Sequence, residues 1–169
     1  MKKTAYVLSA LFFLIITLLL IGNKSISTEI EINAPAHKVW NELMNVSQYS
    51  EWNPFIKKLT GQIKKGTVIE VIFQTKEKGK INSMTFTPEI ILLKENSILQ
   101  WQGRLLMPGI FTGKHTFQLV KIGKNKTRFI QKEDFNGILV SLFSFKSTIE
   151  GFTSMNKALK ERIERKKVK

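Results

Sequence analysis

The sequence predicts an α+β fold: a curved antiparallel sheet of about seven strands around one long C-terminal helix, preceded by an N-terminal transmembrane helix. Three observations carry this expectation. Apolar residues recur at Ile138, Leu142, Phe145, Ile149, Phe152, Met155, Leu159 and Ile163. Steps of three and four keep one stripe on one face of a helix running roughly from Ile138 to Arg165, and no proline after Pro108 interrupts it. The middle of the chain holds short alternating segments divided by glycine and asparagine turns, the pattern of an antiparallel meander. Finally, no charged residue occurs from Thr4 to Asn23, a run that reaches about 30 Å as a helix and matches one bilayer core.

Composition sets the outer limits. The chain has 169 residues, 43% of them hydrophobic, enough for one domain with a real core and an appendage. It has no cysteine, which excludes disulfides and thiolate chemistry without fixing the compartment. The formal net charge is +14, and about +11 without Lys2, Lys3 and Lys24. Such a surface suits anionic neighbours, although most of the lysines fall in turns and at the tail, where they serve solubility.

Taken in order, the uncharged run comes first. Lys2, Lys3 and the amino terminus precede it and only Lys24 follows closely, so the charge bias puts the N-terminus in the cytoplasm and the domain outside. A cleaved signal peptide, with secretion of the domain, is the rival reading. Its apolar region is shorter and ends in a small-x-small site; here the run ends Leu20-Ile21-Gly22-Asn23-Lys24. Residues 1–24 are read as an uncleaved anchor, or a signal peptide, and 25–169 as the domain. Lys24 to Thr28 reads as a short polar linker, overlapping a half-buried strand over Ile26–Asn33 whose inward positions are Ile26, Thr28, Ile30 and Ile32. Pro35 starts a short helix carrying Val39, Trp40, Leu43 and Met44. A second turn or helix over Val46–Ser50 closes at Trp52-Asn53-Pro54-Phe55, where Pro54 restricts Asn53. Strands are expected over Ile56–Thr60, Val68–Thr75, Ser83–Leu93, Ile98–Met107, His115–Ile122 and Thr127–Phe135, with a loop over Pro108–Gly113.

That order, together with the strings Gly113-Lys114-His115-Thr116-Phe117, Thr127-Arg128-Phe129, Glu133-Asp134-Phe135-Asn136-Gly137 and Gly151-Phe152-Thr153-Ser154-Met155-Asn156, resembles the SRPBCC (START-like) superfamily. The resemblance is to its small bacterial polyketide cyclase/dehydrase and lipid-transport-like members, over about Ser27 to Arg165. It implies a helix-grip fold with a deep apolar cavity between sheet and helix, and a hydrophobic small molecule or lipid as ligand. The segment Thr4–Asn23 is no part of that pattern.

Little catalytic material is available. His37 and His115 are the only histidines and Asp134 the only aspartate, so neither a metal site nor a cofactor is expected. No Gly-x-Ser-x-Gly occurs. One polar constellation remains: His115, Glu133 and Arg104. His115 is in phase with Phe117 and Leu119, and Glu133 with Phe129 and Phe135, on strands made antiparallel neighbours by the Gly123 turn. This pair is either an acid/base couple in an apolar cavity, as in a cyclase- or hydrolase-like enzyme, or a hydrogen-bonded pair that fixes register. Trp52, Phe55, Phe73, Phe86, Trp101, Phe117, Phe129, Phe145 and Phe152 are candidate walls of a binding site, and equally candidate core. Gly151 inside the last helix points to close packing against the sheet.

The leading expectation is therefore membrane-anchored binding of a hydrophobic small molecule or lipid. An enzyme, or an interaction module whose core is filled by phenylalanines, are the alternatives. The basic tail from Lys157 to Lys169 complements the helix dipole and suits anionic headgroups. Nucleic acid fits poorly, since no aromatic–basic motif stands out.

Overall fold

The computed structural model describes residues 2–77, 79–105 and 107–165; the side chains of residues 18–21 and 77 lie outside the description. The elements are α1 (Lys2–Ile21), β1 (Asn23–Ile32), α2 (Ala36–Met44), α3 (Tyr49–Trp52), β2 (Ile56–Thr60), β3 (Glu70–Glu77), β4 (Lys80–Phe86), β5 (Glu89–Lys94), β6 (Ile98–Leu105), β7 (Phe111–Gly123), β8 (Lys126–Asn136) and α4 (Lys146–Arg165). Short 3-10 turns occur at Val46–Gln48 and Val140–Leu142.

The strands form a five-stranded sheet in the order β1-β8-β7-β6-β5 and a three-stranded sheet in the order β2-β3-β4. An isolated bridge between Val68 and Glu89 links them. The expected strand over Ser83–Leu93 is two strands, β4 and β5. Pro88 lies between them without an N–H to give to a ladder, and its carbonyl accepts the Ile69 N–H at 2.9 Å.

Helix α4 packs chiefly on β1. Phe152, Met155, Leu159 and Ile163 are buried against Ile26 and Ile32 of β1 and Phe117 and Phe129 of the central strands. The helix is shorter than the stripe predicts. Gly137, at φ +136°, turns the chain where a Cβ would strike the Ile110 carbonyl. Phe143 then has extended φ and ψ of −98° and 139°, and the chain reaches α4 only at Lys146. Ile138, Leu142 and Phe145 are therefore off the helix. Phe143 faces Phe111 at 5.2 Å and Phe145 stacks on Phe135 at 4.2 Å; these ring contacts compete with helix over that stretch. Phe111–Gly113, expected in a loop, belong to β7.

The N-terminal expectations also change. There is no linker: β1 starts at Asn23 and pairs with β8 along its length, from Asn23 opposite Asn136 to Ile32 opposite Thr127. Only Gly22 separates it from α1. Lys24 to Thr28 are strand because the facing β8 residues supply a ladder that local composition does not reveal. The transmembrane helix expected over Thr4–Asn23 is not carried by the structure. A helix forms over Lys2–Ile21, but among the described residues no helix is long and apolar enough to cross a membrane. Leu18 to Ile21, the last apolar side chains of the run, lie outside the described residues, and Asn23 belongs to β1. Most of the described apolar side chains of α1 are exposed, among them Tyr6, Leu8, Phe12 and Phe13, and Ile16 is half-buried.

The end of the domain farthest from α1 is tied by polar contacts. The Asn33 N–H donates to the Glu164 carboxylate at 2.8 Å, and Lys160 Nζ lies 3.2 Å from the same group. Arg162 on α4 pairs with the buried Glu42 of α2 and, at 3.3 Å, with Glu51 of α3. Burial works against the Arg162 charge, but the hydrogen bond and charge of Glu42, helped by Glu51, hold the guanidinium above its ordinary range. Beneath them the buried Tyr49 hydroxyl donates to the Leu43 carbonyl at 2.6 Å. Burial, then the nearby Glu42 charge, pushes that phenol well up.

Candidate functional site

Strand register brings the predicted polar pair together. His115 on β7 lies opposite Trp101 on β6 and opposite Glu133 on β8. His115 Nδ1 is 3.5 Å from Glu133 Oε2, at the outer edge of hydrogen-bond reach. Gly113 makes the carboxylate fit: a Cβ there would lie 2.8 Å from Glu133 Oε1. Arg104 does not join them. It pairs with Thr112, three positions beyond Trp101, so alternation turns it to the opposite face, and it is exposed.

The imidazole is closed in by rings. It is 1% exposed, stacked on Trp101 at 5.0 Å and 16°, with Phe117 at 4.4 Å and Phe152 at 4.9 Å edge-on. Its Nε2 has no hydrogen-bond partner among the described residues. A substrate has nowhere to approach that nitrogen without moving a ring, so the geometry serves packing and register better than proton transfer.

The predicted aromatic residues do converge, as one continuous row. Phe86 meets Phe73 at 5.7 Å, Phe73 meets Phe55 at 5.0 Å, and Phe55 meets Phe152 at 5.6 Å. From there the row passes through His115 to Trp101 and Phe117, and Phe117 stacks on Phe129 at 5.8 Å. These rings pack on one another between sheet and α4, where the resemblance implied an open cavity. Gly151 is part of that packing, because a Cβ there would overlap the Phe55 ring. Trp52 sits apart, edge-on to Tyr49 at 5.2 Å.

A second buried polar group escaped the sequence reading. Gln131 Nε2 donates to Asn156 Oδ1 at 2.6 Å and to the Phe152 carbonyl at 3.2 Å, and Asn156 Nδ2 donates to Thr28 Oγ1 at 3.0 Å. It ties β8, α4 and β1 together. Amides on a strand and a helix look like surface residues until the register is known. Asn53 is also fully buried, and its Oδ1 accepts the N–H groups of Phe55 and Ile56, each at 2.9 Å. The Trp52-Asn53-Pro54-Phe55 string is thus a structural turn.

Open space lies elsewhere, at the end where α1 enters. A groove of about 470 Å³ is lined by Lys24, Phe143, Phe145, Lys146, Ile149 and Glu150, within the size range of small-molecule sites, about 300–1,000 Å³. It is open on one side. Of its lining, only Phe145 was a predicted site residue. Phe143 lies out of phase with the helical stripe, a signal that could have marked it. Among the described residues, no three His, Asp or Glu side chains converge as a metal-holding group.

Comparison with known proteins agrees on the architecture. The family model described as polyketide cyclase / dehydrase and lipid transport matches residues 24–165. No curated protein sequence matches the chain. Among solved structures, the Zhui aromatase/cyclase from Streptomyces sp. R1128 is 14% identical, covering 85% of this chain and 94% of its own, with a TM-score of 0.60. A START superfamily protein from Mycobacterium smegmatis is 20% identical over 83% and 97%, with a TM-score of 0.62. Major latex-like protein 151 from Panax ginseng is 14% identical over 83% and 97%, with a TM-score of 0.66. At these identities the likeness is one of fold.

Proposed function

The chain belongs to the polyketide cyclase / dehydrase and lipid transport family, and from that premise we propose that it binds a hydrophobic small molecule or lipid while tethered to a membrane by α1. The observation that carries the binding reading is the open groove beside Phe143, Phe145 and Ile149, flanked by Lys24 and Lys146. An apolar wall edged by two cations and one carboxylate, Glu150, suits an amphiphile with a polar head. The ligand sits at this end of the domain, against Phe143, Phe145 and Ile149.

The tether is supported by the uncharged run from Thr4 to Asn23 and by the exposure of Tyr6, Leu8, Phe12 and Phe13, which the domain leaves uncovered. Lys2 and Lys3 on one side against Lys24 on the other favour an extracytoplasmic domain. Native mass spectrometry of the full chain, extracted gently from the membranes of its own host, tests the binding reading. A discrete added mass that a Phe143→Glu variant loses is the expected result. A bare mass, with no thermal response to a panel of fatty acids and phospholipids, would sink it.

A further inference from the structure

Where α1 meets the domain, exposed apolar side chains gather from separate parts of the chain; Val68, Ile81 and Met84 are exposed elsewhere, on and beside the three-stranded sheet. Met107, Leu142, Phe143 and Ile149 are 64%, 74%, 48% and 40% exposed, with Leu105 beside them at 41%. They belong to three separate parts of the chain, but backbone contacts hold those parts around one point. The Gly137 N–H donates to the carbonyl of Gly22, the residue after α1, at 2.8 Å. The next two N–H groups, of Ile138 and Leu139, donate to Gly109 and Ile110 at 3.0 and 3.1 Å, which ties the segment before α4 to the β6–β7 loop. Phe143 is braced against Phe111, and Phe145 against Phe135, so the rim is a formed surface.

We propose that this rim rests in the interfacial layer of the lipid bilayer, with Met107, Leu142, Phe143 and Ile149 among the acyl chains and Lys24 and Lys146 at the phosphates, so that the groove opens onto the membrane. The proposal rests on the reading of α1 as a membrane tether. Continuity decides the occupant: the rim surrounds the exit of an apolar helix, and with only Gly22 between them the two cannot lie far apart. One residue spans at most about 3.6 Å. Apolar side chains beside two lysines, Lys24 and Lys146, with Glu150 the one carboxylate of the groove lining, suit an interfacial contact. Residues 166–169 of the basic tail lie outside the described residues, and the described C-terminal end of α4 lies at the other end of the domain. Glu164 near the C-terminal end of α4 contacts Asn33, past the far end of β1, and the ten residues of β1 span about 33 Å.

The chain has no cysteine, so single probes can be placed cleanly. Full-length Met107→Cys, Leu142→Cys, Phe12→Cys and Lys124→Cys variants, each carrying an environment-sensitive fluorophore, would be reconstituted into phosphatidylglycerol/phosphatidylethanolamine vesicles with and without doxyl-labelled lipid. Lys124 is exposed in the far turn between β7 and β8. The expected result is blue-shifted, doxyl-quenched emission at positions 107, 142 and 12, and neither effect at 124. Quenching at 12 alone overturns the rim and leaves the tether standing. If no position is quenched and the chain fails to float with the vesicles, the tether fails and the rim with it. A blue shift at 107 and 142 that doxyl lipid does not quench, but that grows with protein density, gives the rim to a second copy of the chain and also overturns the proposal.

Discussion

The two ends of the domain are built on different principles. At the end far from α1, charge is paired across elements, Arg162 with Glu42 and Glu51 and Lys126 and Arg128 with Glu31, and within α4, Lys160 with Glu164. At the end where α1 enters, exposed Met107, Leu142, Phe143 and Ile149 lie over stacked phenylalanines. The first end is closed by its own contacts. The second has apolar surface that the chain itself leaves uncovered. Exposed apolar surface of this kind is where a partner or ligand would gain most, and the proposed binding is assigned to that end.

The contrast can be broken most forcefully at the charged end. Arg162→Met should destabilise the protein by about 3 kcal/mol, because it removes the guanidinium paired with the buried Glu42 carboxylate. Glu42→Gln combined with Arg162→Met should recover much of that loss in denaturant unfolding; equal losses in both variants would mean that helix packing, not the pair, is at stake. Between the ends, Gly151→Ala gives a test of sign. Helix propensity alone would make alanine stabilising by about 1 kcal/mol. Overlap with the Phe55 ring should outweigh it, for a net loss of about 1 kcal/mol. A gain in the same unfolding measurement would show that the aromatic row yields.

Acid should separate the ends more gently. Hydrogen bonds from Lys126 and Arg128, with their charges, hold Glu31 below its usual 4.5. Burial pushes Glu164 up, but the Asn33 N–H and Lys160 outweigh it and its carboxyl also lies below 4.5. Both folded pKa values are lower than the unfolded ones. Their stabilisation is therefore complete above about pH 4.5 and is lost as the pH falls through the lowered values. Hydrogen exchange, corrected for intrinsic rates, should show the Asn33 amide loosening before the Gly137 amide as the pH falls below 4.5. Simultaneous loosening would mean that the paired charges do not hold the far end. The smallest effect belongs to the apolar rim: Leu142→Ser should change unfolding stability by no more than about 0.5 kcal/mol. A large loss would make Leu142 a core residue and remove the contrast.

Much of this was legible in the sequence, and what was not has identifiable causes. Alternation placed β2, β6 and β8 closely, and phase put His115 opposite Glu133. Period cannot see competition, however. The stripe from Ile138 to Phe145 obeys helical spacing, yet Gly137 and the pull of Phe111 and Phe135 on Phe143 and Phe145 keep that stretch off the helix. Polarity misled at Lys24–Thr28, because a strand's partner lies over a hundred residues away at Gln131–Phe135. Arg104 was grouped with His115 by residue type, and one ladder register sends it to the other face. Most of the candidate aromatics are neighbours, with Trp52 and Phe145 outside the row, but the list could not say whether rings line a space or fill it. That depends on packing volumes, which no periodicity records.

The single residue between α1 and β1 bears on how cargo would travel. A domain on a long tether sweeps out a volume and can reach a second surface. With Gly22 alone as slack, this one has almost no height to explore. On the bilayer reading its encounters are confined to a plane, so it collects from and delivers to the leaflet in which it stands. Traffic between two membranes would then need the second membrane, or another protein, to come to it.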